Sequence, residues 1–166
     1  MKEKQVVRIG VLGCGPISQA AHFEACHKAR NAELYAICDV AEDLLARMAA
    51  IHEPKLTYSN YDDMLADPNV DAVVIGIADQ FHVQAAQKAL EAGKHVLVEK
   101  PLGVSIEECE ALAESVFTAN RILQVGSMKR FDPGIAFAHQ FIENEIGQIL
   151  ALKAWYCDST YRYLMT

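Results

Sequence analysis

The chain has 166 residues, which is enough for one domain, or for one domain and the beginning of a second. Its formal net charge of −7 at pH 7 argues against a surface that binds the phosphate backbone of nucleic acid. No apolar run approaches the ~20 residues that a membrane-spanning helix needs, and no signal-peptide pattern follows the N-terminus.

The cysteines indicate a reducing environment. They are odd in number, widely spaced and without a CxxC pair, so neither a disulfide framework nor a metal site is expected. Their positions are Cys14, Cys26, Cys38, Cys109 and Cys157. We interpret them as reduced, mostly buried thiols of a cytoplasmic protein.

Apolar runs and helical patterns alternate along residues 6–125, as they do when each parallel strand is followed by a helix. The apolar runs predict six strands, at 6–12, 34–38, 56–58, 71–78, 95–98 and 122–125. The segments between them predict helices at 17–30, 41–50, 61–66 and 81–92. This order favours an α/β fold with a doubly wound parallel (Rossmann) sheet, because two mononucleotide-binding halves require six strands.

A fifth helix is predicted between the last two strands, with Ser105 as its N-cap. Its apolar stripe consists of Ile106, Cys109, Leu112, Ala113, Val116 and Phe117. A stripe of this kind is typical of a helix that packs against a sheet.

The sequence after the sixth strand has a different character. It predicts one amphipathic helix at 135–142 and a strand at 148–157 that contains Trp155 and Tyr156. A single strand after a completed sheet leaves its backbone groups without partners and promotes self-association. We therefore predict a dinucleotide-binding domain at 1–127 and, at 128–166, the beginning of a second α/β domain that is mostly absent from the chain.

A glycine-rich loop follows the first strand. The first glycine, Gly13, permits the tight turn, and Gly15 allows the backbone to approach a pyrophosphate. Pro16, Ile17 and Ser18 then begin a helix, whose N-terminus attracts phosphate. Ser18 occupies the position that usually requires a third glycine for close packing of helix on strand. The loop predicts nucleotide binding, although an ordinary strand–helix turn is the alternative.

An acidic residue ends the second predicted strand. Asp39 lies 21 positions after Ser18, close to the spacing of the carboxylate that binds the adenosine ribose diol in dinucleotide sites. A carboxylate repels a 2′-phosphate, and no arginine follows it in the next few residues, so the pattern favours NAD over NADP. Asp39 could also, or instead, cap the following helix.

A further group of candidate residues follows the fourth strand, on the expected ligand side of the sheet. Ala78, Asp79 and His82 follow the fourth strand, where they could contact a cofactor; Asp79 could equally cap a helix, and His82 could simply pack in its first turn.

The fifth strand ends in Glu-Lys-Pro. Lys100 could bind a substrate oxygen or assist proton transfer beside a nicotinamide, and we assign it as the candidate catalytic residue and a cofactor contact. Glu99 could orient Lys100 or contact the cofactor ribose, although both charges could also be surface groups in a turn. Arg130, in a later turn, is a candidate for the cofactor cleft or an ordinary surface residue.

These features resemble the N-terminal half of the glucose–fructose oxidoreductase, inositol dehydrogenase and rhizopine-catabolism (Gfo/Idh/MocA) family. The matching segments are the loop at 13–18 followed by His22, the strand that ends in Asp39, residues 85–102 and residues 125–147. The phrase AGKHVLVEKP at 92–101 is the most specific part, because many folds share a glycine loop but few share this phrase.

The resemblance implies a Rossmann domain that binds NAD or NADP, followed by a larger open-sheet domain. It also implies oxidation or reduction of a carbon of a sugar, inositol or related polyol, with Lys100 near the nicotinamide and substrate. The expected partners are this small-molecule substrate and further copies of the chain, with neither nucleic acid nor membrane.

The chain departs from the family pattern in two respects. The family commonly has Thr-Pro-Asn-x-x-His after the fourth strand, and only His82 of that motif is present at 77–82. The family's catalytic Asp and His belong to the second domain, past Thr166, so we expect the isolated chain to bind NAD without useful turnover. The alternative function is a stand-alone, non-catalytic nucleotide-binding or interaction module.

Overall fold

The structure is a computed structural model that describes residues 6–155. Its six strands are β1 Val7–Leu12, β2 Ala32–Cys38, β3 Leu56–Tyr58, β4 Ala72–Ile75, β5 His95–Val98 and β6 Leu123–Val125. Its α-helices are α1 Phe23–Lys28, α2 Glu42–His52, α3 Tyr61–Ala66, α4 His82–Glu91, α5 Ile106–Ala119 and α6 Pro133–Phe141. Shorter helical turns cover Ser18–His22 and Ile142–Ile146 (π) and Asp79–Phe81 and Met128–Phe131 (3-10).

All strand pairs are parallel, and the sheet order is β3-β2-β1-β4-β5-β6. This confirms the predicted doubly wound sheet. Strands β2 and β3 are added on one side of β1, and β4 to β6 are added on the other. A crevice opens beyond the carboxyl ends of the strands at such a switch point, here between β1 and β4. The loops after β1, β2, β4 and β5 therefore surround the expected ligand position.

The sheet separates two apolar cores, because successive residues of a strand point to opposite faces. On one face, α1 and α2 contribute Phe23 and Leu45 to a cluster with the β4 residue Val74. On the other face, α3, α4 and α5 pack over Val73 and Ile75 of the same strand. Both faces of the central strands are thus covered, which explains their nearly continuous apolar sequences.

Most predicted boundaries agree with the structure to within about two residues, but two elements differ more clearly. The helix expected at 17–30 begins instead as a π-helical turn, Ser18–His22, and continues as α1 only to Lys28. The strand expected at 71–78 ends at Ile75. The N–H of Gly76 still donates to the carbonyl of Leu12 at 2.9 Å, and residues 76–78 then lead to the 3-10 turn Asp79–Phe81.

The apolar stripe predicted on α5 is only partly correct. Ser105 caps the helix as expected, with its hydroxyl accepting a bond from the N–H of Glu108 at 3.2 Å. Leu112 is fully buried, but Ile106 and Phe117 are 72% and 91% exposed. At about 100° per residue, the two exposed residues lie on one side of the helix, roughly 120° to 140° away from Leu112.

The chain divides into two compact units, Met1–Gly126 and Ser127–Thr166. The predicted strand at 148–157 is wrong for its described part, because residues 148–155 form no strand and Trp155 is 79% exposed. A strand needs a neighbour for its backbone bonds, and residues 127–155 contain no other strand. Tyr156 and Cys157 lie outside the described residues. That this unit begins a substrate domain stays a prediction.

Within residues 6–155, every helix is too short or too polar to cross a membrane.

Candidate cofactor site

The loop after β1 is shaped by two glycines with different surroundings. Gly13 has a φ of +92°, and a Cβ there would lie 2.4 Å from the carbonyl oxygen of Gly76. Its N–H donates to the carbonyl of Cys38 at 2.8 Å. A Cβ at Gly15, in contrast, would meet no protein atom within 4 Å, so the space above this glycine is open. The first glycine is required by the fold, and the second leaves room for a ligand.

The beginning of the following helical turn packs tightly on the sheet. Ser18 is fully buried, and its hydroxyl lies 2.9 Å from the position of a Cβ at Gly76. The absence of a side chain at Gly76 therefore provides the close approach that a third loop glycine would otherwise supply. Pro16 and Ile17, which precede Ser18, are exposed on the turn.

Asp39 connects the end of β2 to the glycine loop. Its Oδ2 accepts a hydrogen bond from the N–H of Cys14 at 2.7 Å, and its Oδ1 accepts one from the N–H of Ala41 at 2.8 Å. The N-cap position of α2 is Ala41, so Asp39 bonds the backbone just before the helix instead of occupying the cap itself. The carboxylate is thus fixed between the first two loops of the site.

A cleft of about 440 Å³ lies beside this carboxylate. Its lining includes Gly13, Asp39, Val40, Tyr61, Ile77, Ala78, Phe81, Gln84 and Lys88. Among the lining residues, the Tyr61 hydroxyl donates to the carbonyl of Ala85 at 3.0 Å, and burial raises the pKa of Tyr61. The ammonium of Lys88 lies 2.8 Å from Asp62, so an acidic partner already compensates this cation.

The residues after β4 occupy different environments. Ala78 lines the cleft, and Asp79 is exposed at the beginning of the 3-10 turn. His82 is fully buried; its Nδ1 lies 2.7 Å from the carbonyl oxygen of Pro101, and its Nε2 lies 3.1 Å from that of Ile77. The imidazole therefore joins the loops after β4 and β5, and its ring presents no surface to the cleft.

The end of β5 carries the two charges of the Glu-Lys-Pro sequence. Glu99 is largely buried, and its Oε2 accepts a bond from the N–H of Lys100 at 3.2 Å. The Lys100 side chain is exposed. One charge is therefore held against the protein, while the other is free to approach a bound molecule.

Cys14 lies within the glycine loop, but its thiol is not a reactive group. Burial, assisted by the nearby Asp39 carboxylate, raises the pKa of Cys14 to about 12. The thiol remains protonated at neutral pH, which excludes it as a nucleophile. The other described cysteines, Cys26, Cys38 and Cys109, are also free thiols.

Arg130 belongs to the second unit, where it is exposed in the 3-10 turn Met128–Phe131. Its predicted contact with the cofactor stays a prediction. The structure thus brings Gly13 of the loop, Asp39 and Ala78 around one cleft, and it places Glu99 and Lys100 at the end of β5 in the same unit.

Sequence reasoning did not identify several residues of this region. Val40, Tyr61, Phe81 and Gln84 line the cleft, but each is an ordinary side chain for its element and carries no motif. His22 lies 3.2 Å from Glu99. The sequence did single out His22 as part of the family resemblance, but it did not predict His22 as a site residue.

Comparison with known proteins agrees with this geometry. A family model described as "Oxidoreductase family, NAD-binding Rossmann fold" (GFO_IDH_MocA) matches residues 7–127. An inositol 2-dehydrogenase/D-chiro-inositol 3-dehydrogenase of Shouchella clausii is 35% identical over 150 residues, which are 89% of this chain and 43% of the relative. A myo-inositol 2-dehydrogenase of Thermotoga maritima is 34% identical over 138 residues, 83% of this chain and 41% of the relative.

A solved structure shares the fold. It is scyllo-inositol dehydrogenase from Lactobacillus casei with bound cofactor NAD(H) and scyllo-inositol, which superposes with a TM-score of 0.82 at 31% identity. The match covers 87% of this chain and 43% of that one, so the chain spans less than half the length of these relatives. The family match and the doubly wound sheet agree, and the chain belongs to the Gfo/Idh/MocA oxidoreductase family with its NAD-binding Rossmann fold.

Proposed function

We propose that this chain is the cofactor-binding part of an NAD-dependent oxidoreductase that acts on a sugar, an inositol or a related polyol. The observation that carries the proposal is the Asp39 carboxylate, which is hydrogen-bonded to the glycine loop beside the open space above Gly15. The names of the similar inositol dehydrogenases support the substrate class.

The residues around the crevice fit the parts of NAD. The backbone of the loop, from Gly13 to Ser18, would hold the pyrophosphate, because a helical N-terminus presents N–H groups and positive potential. Asp39 would accept hydrogen bonds from the adenosine ribose diol, and Ala78 would line the adenosine half of the cleft. The other half of the cofactor would then extend across the β1/β4 switch point toward Glu99. Asp79 and Arg130 remain proposed contacts.

Lys100 is the proposed catalytic residue. NAD would supply the hydride acceptor when bound, and Lys100 would supply a cation near the substrate. The exposed ammonium at the carboxyl end of β5 could bind a substrate hydroxyl oxygen and stabilise the negative charge that develops there when a separate base takes the hydroxyl proton. Because the chain spans less than half of its relatives, we propose that it binds the cofactor but needs further catalytic groups for turnover.

Two wider properties belong to the same proposal. The protein assembles as a homo-oligomer, which the exposed apolar side chains Ile135, Phe137 and Phe141 of α6 support. It works in the reducing cytoplasm, which the free thiols of the described cysteines support.

The test is a titration of the purified chain with NADH and, separately, with NADPH, followed by calorimetry or nicotinamide fluorescence. We expect saturable NADH binding that is at least about tenfold tighter than NADPH binding, a difference of about 1.4 kcal/mol. Asp39→Asn should reduce this preference by about tenfold, since the amide no longer repels a 2′-phosphate. Asp43→Asn, a nearby exposed carboxylate in the first turn of α2, is the matched control.

The outcomes separate the parts of the proposal. Absence of binding of both nucleotides by the folded chain would overturn the cofactor-binding function. Equal affinities for the two nucleotides would retain that function and overturn the preference for NAD. An equal effect of both substitutions would show that general charge, and not the position of Asp39, determines the preference.

A further inference from the structure

Two titratable side chains face each other beneath the end of β5. His22 Nε2 lies 3.2 Å from Glu99 Oε1, and the side chains are only 11% and 15% exposed. The Nε2 atom is itself enclosed and has no well-aligned hydrogen bond, although the carboxylate is within reach. A buried N–H without a partner costs about 1–3 kcal/mol, so a small turn of the carboxylate that completes this bond is favourable.

Several segments converge to hold this pair. His22 ends the π-helical turn after the glycine loop, and its Cδ2 lies 3.5 Å from the position of a Cβ at Gly76. A Cβ at Gly126 would lie 3.1 Å from Glu99 Oε1. Glycines after β4 and β6 thus leave the space that the imidazole and the carboxylate occupy.

The chemistry of the pair assigns a role to each atom. Burial lowers the pKa of His22, although the neighbouring Glu99 carboxylate acts in the opposite direction. A neutral imidazole can still donate from one ring nitrogen, and the nitrogen that faces Glu99 is Nε2. The second carboxylate oxygen accepts from the N–H of Lys100. The Lys100 N–H thus holds one oxygen of Glu99, and completion of the His22 bond to the other oxygen would fix the orientation of the carboxylate before a ligand arrives.

We propose that His22 is a positioning residue that holds the Glu99 carboxylate toward the nicotinamide ribose, and this inference rests on the proposed function. The topology supports the location. Asp39, directly after β2, marks the adenosine side of the switch point between β1 and β4, so the other nucleoside half would lie over β4 and β5. His22 is therefore the link between the loop that holds the pyrophosphate and the strand end that receives the nicotinamide half.

The test compares NADH with ADP-ribose, which shares the adenosine and pyrophosphate groups but lacks the nicotinamide. Calorimetric titration of the full chain should show that His22→Leu weakens NADH binding by about tenfold and changes ADP-ribose binding less than twofold. His22→Gln should restore NADH binding to within about threefold of the wild type, because its amide N–H can replace Nε2–H. His27→Leu, the same substitution at an exposed position of α1, is the control and should leave both affinities unchanged.

A double-mutant cycle shows whether His22 acts through Glu99. If it does, Glu99→Ala and the combination of His22→Leu with Glu99→Ala should weaken NADH binding equally. Additive losses would overturn the inference, and so would equal losses for NADH and ADP-ribose or a failure of His22→Gln to restore binding. If the wild-type chain binds neither probe, the proposed function itself fails. Retained ADP-ribose binding by each variant demonstrates that the variant is folded.

Discussion

The two loop glycines differ at the level of single atoms. Gly13 combines a positive φ with the contact to Gly76, so the protein itself excludes a side chain there. Gly15 has free space around it, so the folded protein tolerates a methyl group. Any intolerance at Gly15 must therefore come from something that binds.

This difference predicts opposite outcomes for two alanine substitutions. Gly13→Ala should lower the free energy of unfolding by about 2 kcal/mol or more, from backbone strain and from the clash with the Gly76 carbonyl. Gly15→Ala should change the free energy of unfolding by less than about 0.5 kcal/mol, because a Cβ at this position meets no other atom of the protein. It should nevertheless weaken NADH binding by about tenfold, since the methyl group occupies the space proposed for the pyrophosphate.

Urea denaturation followed by circular dichroism measures the first effect, and NADH titration measures the second. Each variant serves as the control for the other. A Gly15→Ala protein that binds NADH normally would contradict the placement of the pyrophosphate above this loop.

Sequence reasoning at the residue scale succeeded where a short motif carries the chemistry. The glycine loop and Asp39 were found by spacing alone, and the structure brings them within hydrogen-bonding distance. The environment of His82 could not be found in this way, because its partners, Ile77 and Pro101, are fixed only when two loops meet in three dimensions.

At the scale of elements, a buried lysine holds the turn that leads into β4. The ammonium of Lys94, just before β5, donates to the carbonyl oxygens of Asp67 and Val70 at 2.7 and 2.8 Å. Burial lowers the pKa of Lys94, although the carboxylates of Asp67 and Asp71 act in the opposite direction. The Lys94 side chain therefore links the start of β5 to the turn that precedes β4.

Lys94→Met should lower the free energy of unfolding by about 2 kcal/mol, because two carbonyl groups lose a charged donor. Lys88→Met is a matched control on α4, where a partly exposed ion pair with Asp62 is lost. This control should change stability by less than about 1 kcal/mol. Chemical denaturation of both variants is the measurement, and equal effects would contradict the structural role of Lys94.

The elements were predictable wherever apolar periodicity and packing agree. Strand β5 and helix α3 have the predicted boundaries, since their patterns are bounded by a glycine and by Asp-Pro. The π-helical turn Ser18–His22 was not predictable, because its apolar spacing does not distinguish it from the α-helix that follows. The apolar run at 148–155 suggested a strand, but periodicity alone cannot supply the neighbouring strand that pairing requires.

At the scale of the whole molecule, the site is assembled from loops that are far apart in sequence. A ligand that contacts the loops after β1, β2 and β5 therefore binds the folded chain and not the unfolded one. This linkage predicts that NADH at 100 times its dissociation constant raises the free energy of unfolding by about 2.7 kcal/mol. Thermal unfolding with increasing NADH measures the effect.

NADPH at the same concentration is the comparison and should give a smaller increase in the melting temperature. Identical melting temperatures with and without a saturating concentration of NADH would contradict binding to the folded state.

The fold class and family were predictable at this scale, because alternating elements and the AGKHVLVEKP phrase involve most of the chain. The role of the second unit was not predictable, because residues 127–155 contain no strand that could form part of a second sheet.

The double hydrogen bond of Asp39 constrains how cofactor preference could evolve. The carboxylate both repels a 2′-phosphate and supplies the acceptor for the N–H groups of Cys14 and Ala41. A single substitution that removes the charge also leaves at least one of these N–H groups without its partner. A descendant that uses NADP would therefore need, besides the loss of the charge, a compensating change in the same loops that gives these N–H groups a new acceptor.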